Sequence, residues 1–243
     1  VHQYAKLLGK KLNYRSLGTV EFLLDQAGRY YFIEVNPRIQ VEHPVTELVL
    51  GMDLVRMQLR LAAEGKLRIT QKDVFVRGAA IEARIIAEDV ANNFMPATGA
   101  ITYVKEPDGP GIRVDSALYL GMDVTMHYDS LLAKVIVWGE DREIAVQRLS
   151  RALDEFQISG VPTDIEFLTK IITQENFIRG TVDTTFLDNF KPAIGQTSEA
   201  LEKIVALAAA LVEHGQKAKS RENRAEENTW RTTAWKEQMR GTI

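Results

Sequence analysis

Glu34-Val-Asn-Pro-Arg38-Ile-Gln-Val-Glu42 is the stretch whose reading decides the fold. In an extended backbone alternate side chains share a face, so Glu34, Asn36, Arg38, Gln40 and Glu42 would line one side. The opposite side, Val35, Pro37, Ile39 and Val41, is apolar and is expected to pack on a core. Upstream, Gly18–Asp25 and Arg29–Val35 flank a Gln26-Ala27-Gly28 turn and read as an antiparallel hairpin. A turn centred on Ala27 and Gly28 puts Glu21 opposite Glu34 and Leu23 opposite Phe32. Facing carboxylates repel, and a divalent cation between them relieves the repulsion, with hard oxygen donors suited to Mg2+ or Mn2+. Asn36 adds a neutral oxygen. The competing reading is a solvated polar hairpin with Arg38 paired to Glu42; Pro37, which ends the ladder, and the polar positions continuing past it favour the metal site.

Val45–Ala63 predicts one amphipathic helix entered after Pro44, with Leu48, Val49, Met52, Val55, Leu59 and Ala62 as its buried stripe. Val76–Ala87, Ala100–Lys105, Gly111–Ala117 and Leu131–Trp138 read as strands of an antiparallel sheet, and Asp141–Phe156 and Asp164–Thr173 as helices. The pattern is α+β. Alternation within Gly78–Ala87 sets Glu82 and Arg84 on one face. His127-Tyr128-Asp129 does not act as a unit, because neighbouring strand residues point to opposite faces. His127 is read as structural, Asp129 as able to orient Arg84 from a neighbouring strand, and His43 as helping to turn the chain beside Pro44.

Glu34-Val-Asn-Pro-Arg38 resembles the metal-binding strand of ATP-grasp ligases, and Arg38-Ile-Gln-Val-Glu-His-Pro-Val-Thr-Glu47 resembles the biotin carboxylases in particular. The similarity continues through Arg77–Asp89, Pro96-Ala-Thr-Gly99 and Tyr128-Asp-Ser-Leu-Leu-Ala-Lys134, and fades near Phe190. It implies the C-terminal part of an ATP-grasp domain over 1–70, a biotin carboxylase C-terminal domain over 71–190 and a helical tail or linker over 191–243. It also implies a two-step reaction, in which ATP phosphorylates bicarbonate and the carboxyl group then passes to N1′ of biotin.

Carried over position by position, Glu21, Glu34 and Asn36 match the metal ligands that bridge the ATP phosphates. Arg38 matches the bicarbonate grip, Gln40 and the Val41 backbone match further bicarbonate contacts, and Glu42 matches the general base. Arg84 matches the residue that stabilises the biotin enolate, whose carbonyl oxygen gains charge when the ureido proton leaves. The competing reading of Arg84 is a surface strand residue paired with Glu82. Pro107-Asp-Gly-Pro-Gly-Ile-Arg113 resembles the family's homodimer contact, with Pro110 where some members carry a bulky aromatic residue.

The resemblance further implies a preceding half with a glycine-rich lid and phosphate-binding lysines. Nothing in 1–243 corresponds to it, so that half is expected as a partner and the chain alone is expected to be inactive. The other partners implied are a biotin carboxyl carrier protein or domain and a carboxyltransferase subunit. No Ala-Met-Lys-Met occurs, so no biotin-attachment lysine is expected here. A different ATP-grasp ligase, such as one making carbamoyl phosphate, shares Glu34–Arg38 but is not expected to continue as Ile39–Pro44. A non-catalytic assembly module is the other alternative, favoured by Trp230 and Trp235 in a polar tail. The helix expected over Ser198–His214 leads into that tail.

Composition adds bounds. The 243 residues carry a net charge of -3, which gives no basic footprint for nucleic acid. No apolar run reaches membrane-spanning length, and with no cysteine there is no disulfide framework; a cytoplasmic protein is the expectation.

Overall fold

The computed structural model describes residues 1–188, 190 and 203–212. Those up to 190 belong to one compact unit, Val1–Ile194, and 203–212 to a second, Gly195–Ile243. Residues 203–212 are helical, within the helix expected there. Trp230 and Trp235 lie outside the described residues.

The first unit opens with α1 (His2–Lys11), followed by β1 (Thr19–Leu24) and β2 (Tyr30–Asn36). The strands pair antiparallel, with Glu21 opposite Glu34 as expected. Leu23, however, pairs with Tyr31 and not with Phe32, because the ladder shifts by one residue after Glu21 and sets Phe22 against Phe32. The turn is held by Asp25, whose carboxylate accepts from the Arg29 backbone at 2.8 Å and from Arg29 Nε at 2.7 Å. Gly28 takes a φ of 77°, which suits a residue without Cβ.

β2 ends at Asn36, so the extended polar face stops there and Pro37–Val41 form an irregular loop. Pro37 and Val41 are exposed instead of packing on a core. The single helix expected over 45–63 is two: α2 (His43–Leu50) and α3 (Leu54–Glu64). Gly51 closes α2 in the left-handed region, and Asp53 caps α3 by accepting from the Arg56 backbone, a stop and a start inside an unbroken apolar periodicity. The expected stripe is not buried either; α2 buries Pro44 and Glu47, and Leu59 is 68% exposed.

A three-stranded antiparallel sheet forms the centre, with β10 (Leu131–Gly139) between β3 (Ala79–Ile86) and β8 (Ile112–Ser116). Short pairs surround it: β4 (Glu88–Asp89) with β5 (Met95–Pro96), β6 (Gly99–Ala100) with β9 (Asp123–Val124), and β7 (Tyr103–Lys105) with β11 (Gln157–Ser159). The strand expected over Ala100–Lys105 is thus split between β6 and β7. Helices α4 (Arg142–Glu155), α5 (Ile165–Ile172) and α6 (Glu175–Arg179) follow. One sheet face, with Ala83, Ile85, Ala133, Val135 and Val137, packs on Ala145, Leu149, Ala152 and Leu153 of α4 as the main core. Alternation then places Glu82, Arg84, Lys134, Arg113 and Asp115 on the other face, near α2.

Candidate active site

On the hairpin, Asn36 Nδ2 donates to Glu21 Oε1 and to Glu34 Oε1, at 2.8 Å each. Gln40 Nε2, arriving from the loop, donates to the same Glu21 oxygen at 2.9 Å. The two carboxylates therefore converge on one point, where the amide hydrogens offset their repulsion. This arrangement fits a divalent cation: two anionic oxygens meet at a shared position, and rotation of the Asn36 side-chain amide turns its oxygen toward them. Among the described residues no group of three or more His, Cys, Asp or Glu side chains could hold a metal ion; the hairpin offers two carboxylates and one neutral amide.

Past Pro37 the loop sends its polar groups in different directions. Arg38 Nη1 donates to its neighbour's carbonyl, Ile39 O, at 3.1 Å and is exposed. The Arg38–Glu42 pair does not form, because Glu42 sits at the start of α2 and meets Arg84 instead, Nη2 to Oε2 at 2.8 Å. Both partners are about half exposed. Lys134, opposite Arg84 on β10, donates from Nζ to Val41 O at 2.9 Å and so fixes the loop backbone to the sheet. His43 Nδ1 lies 2.7 Å from Gln40 O, in keeping with a role in turning the chain. Asp129 does not reach Arg84; its carboxylate accepts from the Leu131 backbone at 3.0 Å, in the turn before β10. His127 is exposed in the same turn region.

The structure thus gathers Glu21, Glu34, Asn36 and Gln40 into one cluster and Val41, Glu42 and Arg84 into another, and leaves Arg38 projecting from the loop between them. Reasoning from sequence missed a partly buried ionic network beneath the second cluster. Arg113 donates to Glu47 Oε2 at 2.7 Å and to both oxygens of Asp115, and Lys134 stands 3.3 Å from Asp115. Glu47 also accepts from the Leu54 backbone at 2.7 Å, tying the α2–α3 junction to the sheet. Burial pushes the Asp115 carboxyl up, but Arg113 and then Lys134 outweigh it and the group ends below its ordinary range. The signals for this network were single charges in apolar settings: Lys134 in the run Leu131–Trp138, and Glu47 in α2.

Glu82 lies behind Arg84, its side chain only 4% exposed and its Oε1 4.0 Å from Arg84 Nε. Burial raises its pKa to about 7, against the pull of Lys134 and Arg84. The surface Arg84–Glu82 pair considered from sequence is accordingly neither at the surface nor the principal contact of Arg84.

In sequence the chain matches two families: "Carbamoyl-phosphate synthase L chain, ATP binding domain" over residues 1–70 and "Biotin carboxylase C-terminal domain" over 82–189. Over most of its length the chain is similar to the C-terminal part of biotin carboxylases. It is 50% identical over 176 residues to a biotin carboxylase of Nostoc, covering 72% of this chain and 39% of that protein. Over 183 residues it is 48% identical to a pyruvate carboxylase subunit of Methanothermobacter thermautotrophicus, covering 75% of this chain and 37% of the other. Among solved structures, the biotin carboxylase domain dimer of Hydrogenobacter thermophilus 2-oxoglutarate carboxylase, in complex with MgADP, ADP and bicarbonate, superposes with a TM-score of 0.75 at 45% identity, over 77% of this chain and 42% of that one. The chain thus spans about two fifths of the length of these relatives. Among its described residues no helix is long and apolar enough to cross a membrane.

Proposed function

We propose that this chain supplies the metal, bicarbonate and biotin side of an ATP-dependent biotin carboxylase, whose nucleotide side comes from the N-terminal region its relatives possess. The Glu42–Arg84 ion pair carries the reading, since it joins the loop after the carboxylate hairpin to the central sheet and brings a base and a guanidinium together at 2.8 Å. In this reading 1–70 is the C-terminal part of the ATP-grasp domain, 71–190 the biotin carboxylase C-terminal domain and 191–243 a tail toward a partner. Those partners are a biotinylated carrier, a carboxyltransferase and, through the Pro107–Arg113 segment, a second copy of the chain.

Glu21, Glu34 and Asn36 would hold Mg2+ or Mn2+, which neutralises charge on the phosphates of ATP. Arg38 grips bicarbonate with its planar fork, aided by Gln40 and the Val41 backbone that Lys134 holds in place. Glu42 takes the bicarbonate proton as the bicarbonate oxygen attacks the γ-phosphorus; ADP leaves and carboxyphosphate forms. The carboxyl group then bonds to N1′ of biotin as its bond to the phosphate oxygen breaks, and the leaving phosphate takes the ureido proton. Arg84 faces the oxygen of the ureido group and stabilises the charge that develops there. The test joins this chain to the N-terminal region of the Nostoc relative and follows phosphate release and carboxybiotin. Bicarbonate-dependent ATP cleavage with carboxylation of biotin is expected; a folded, ATP-binding chimaera without either activity overturns the reading.

A further inference from the structure

Both carboxylate oxygens of Glu82 are buried without a hydrogen-bond partner among the described residues. A buried carboxylate is costly unless a cation stands by it. The charged groups around it are Arg84 on its own strand, Lys134 on β10, Arg113 and Asp115 on β8, Glu42 just before α2 and Glu47 on it. Lys134 is committed to Val41 O and Asp115, and Arg113 to Glu47 and Asp115. Arg84 is bound only on its Glu42 side, and its Nε edge points to Glu82 across 4.0 Å. One guanidinium therefore spans two carboxylates, one half exposed and one buried.

We propose that Glu82 is a positioning residue for Arg84, whose buried carboxylate holds the guanidinium in place when Glu42 carries a proton. The proposal rests on the biotin carboxylase reading above. A base that has taken the proton of bicarbonate has lost its charge, and with it most of its hold on Arg84. The carboxyl transfer that follows needs Arg84 kept in place, and Glu82 is the anion left beside it. A small shift of the side chain turns the 4.0 Å approach into a hydrogen bond. Because Glu82 ionises near neutrality, that hold strengthens as pH rises through about 7.

Glu82→Gln keeps the shape and removes the charge; Glu82→Asp keeps the charge on a shorter stem. Both are compared with the parent in the completed chimaera, assaying phosphate release and carboxybiotin in parallel between about pH 6 and 8.5. Glu82→Gln is expected to lower carboxybiotin formation about tenfold while bicarbonate-dependent phosphate release stays within about twofold. It should also flatten the rise of the carboxylation rate across neutrality, and Glu82→Asp should restore part of both rate and rise. In this chain by itself, Glu82→Gln should raise the melting temperature more at pH 8 than at pH 5, since only at the higher pH is a buried charge removed. Equal loss of both activities, or an unchanged pH profile in Glu82→Gln, overturns the positioning role while leaving the function standing. A parent chimaera that binds ATP but has neither activity overturns both.

Discussion

The β1–β2 hairpin and the β3–β10–β8 sheet are both antiparallel, yet they are held by different means. On β2 the residues Tyr30 to Ile33 are 44–55% exposed, and neither hairpin strand contains a buried residue. On β10 Val135, Ile136 and Val137 are wholly buried, and the sheet is backed by α4. Turn chemistry at Asp25–Arg29 and cross-strand pairs therefore define the hairpin, whereas contacts between distant segments define the sheet. The candidate site needs both, because the carboxylate pair stands on the first and Arg84 and Lys134 on the second. The short loop Pro37–Glu42 joins them, anchored through Glu42 and the Val41 carbonyl.

If burial separates the two regions, emptying the core should cost far more than trimming the hairpin. Leu149→Ala should lower unfolding free energy by about 2.7–5 kcal/mol, the range for a buried leucine that leaves a cavity. Phe32→Ala, which loses an edge-to-face contact with Phe22 on an exposed surface, should cost about 1 kcal/mol. Urea unfolding of both variants measures the contrast, and equal losses would remove it.

A second contrast lies in pH. Asp164 is buried against β3, accepts from the Ile86 backbone at 2.8 Å, and is pushed by burial from 3.8 to about 7. Between those values the folded chain binds more protons than the unfolded one, so this group's contribution to stability falls as pH rises through the window. Asp164→Asn should remove that fall, gaining on the parent by roughly 3 kcal/mol between pH 4 and 7. Melting curves across that window should diverge with rising pH; parallel curves would mean that Asp164 ionises as it does in water.

What was legible in the sequence follows the same division. Glu21 opposite Glu34 could be read because turn and alternation are local, whereas the one-residue shift after Glu21 that moves Leu23 onto Tyr31 left no mark in the pattern. The break at Gly51–Asp53 was hidden by an apolar periodicity that runs across it. Arg84 was singled out by the motif around it, but its partner Glu42 lies 42 positions away and their meeting depends on how α2 docks on the sheet. The network of Glu47, Arg113, Asp115 and Lys134 escaped for the same reason, since a charge in an apolar run marks itself but not its partners on other elements.

The smallest effect concerns the hairpin alone. Glu21→Gln with Glu34→Gln removes a cross-strand repulsion that Asn36 already offsets, so without metal the stability should stay within about 1 kcal/mol of the parent. Mg2+ or Mn2+ should raise the melting temperature of the parent and not of the double variant. A variant that still responds to the ion would break the assignment of the pair as ligands.

The central claim is that the two regions serve successive steps, with Arg38 of the loop on bicarbonate and Arg84 of the sheet on the biotin enolate. In the completed enzyme, phosphate release and carboxybiotin formation are measured side by side for Arg38→Ala and Arg84→Ala. Arg38→Ala should suppress both, because carboxyphosphate no longer forms efficiently. Arg84→Ala should leave bicarbonate-dependent phosphate release nearly intact and cut carboxybiotin by orders of magnitude, a loss of about 3 to 4 kcal/mol of transition-state stabilisation. An equal loss of both activities in Arg84→Ala would contradict the division of labour between hairpin loop and sheet.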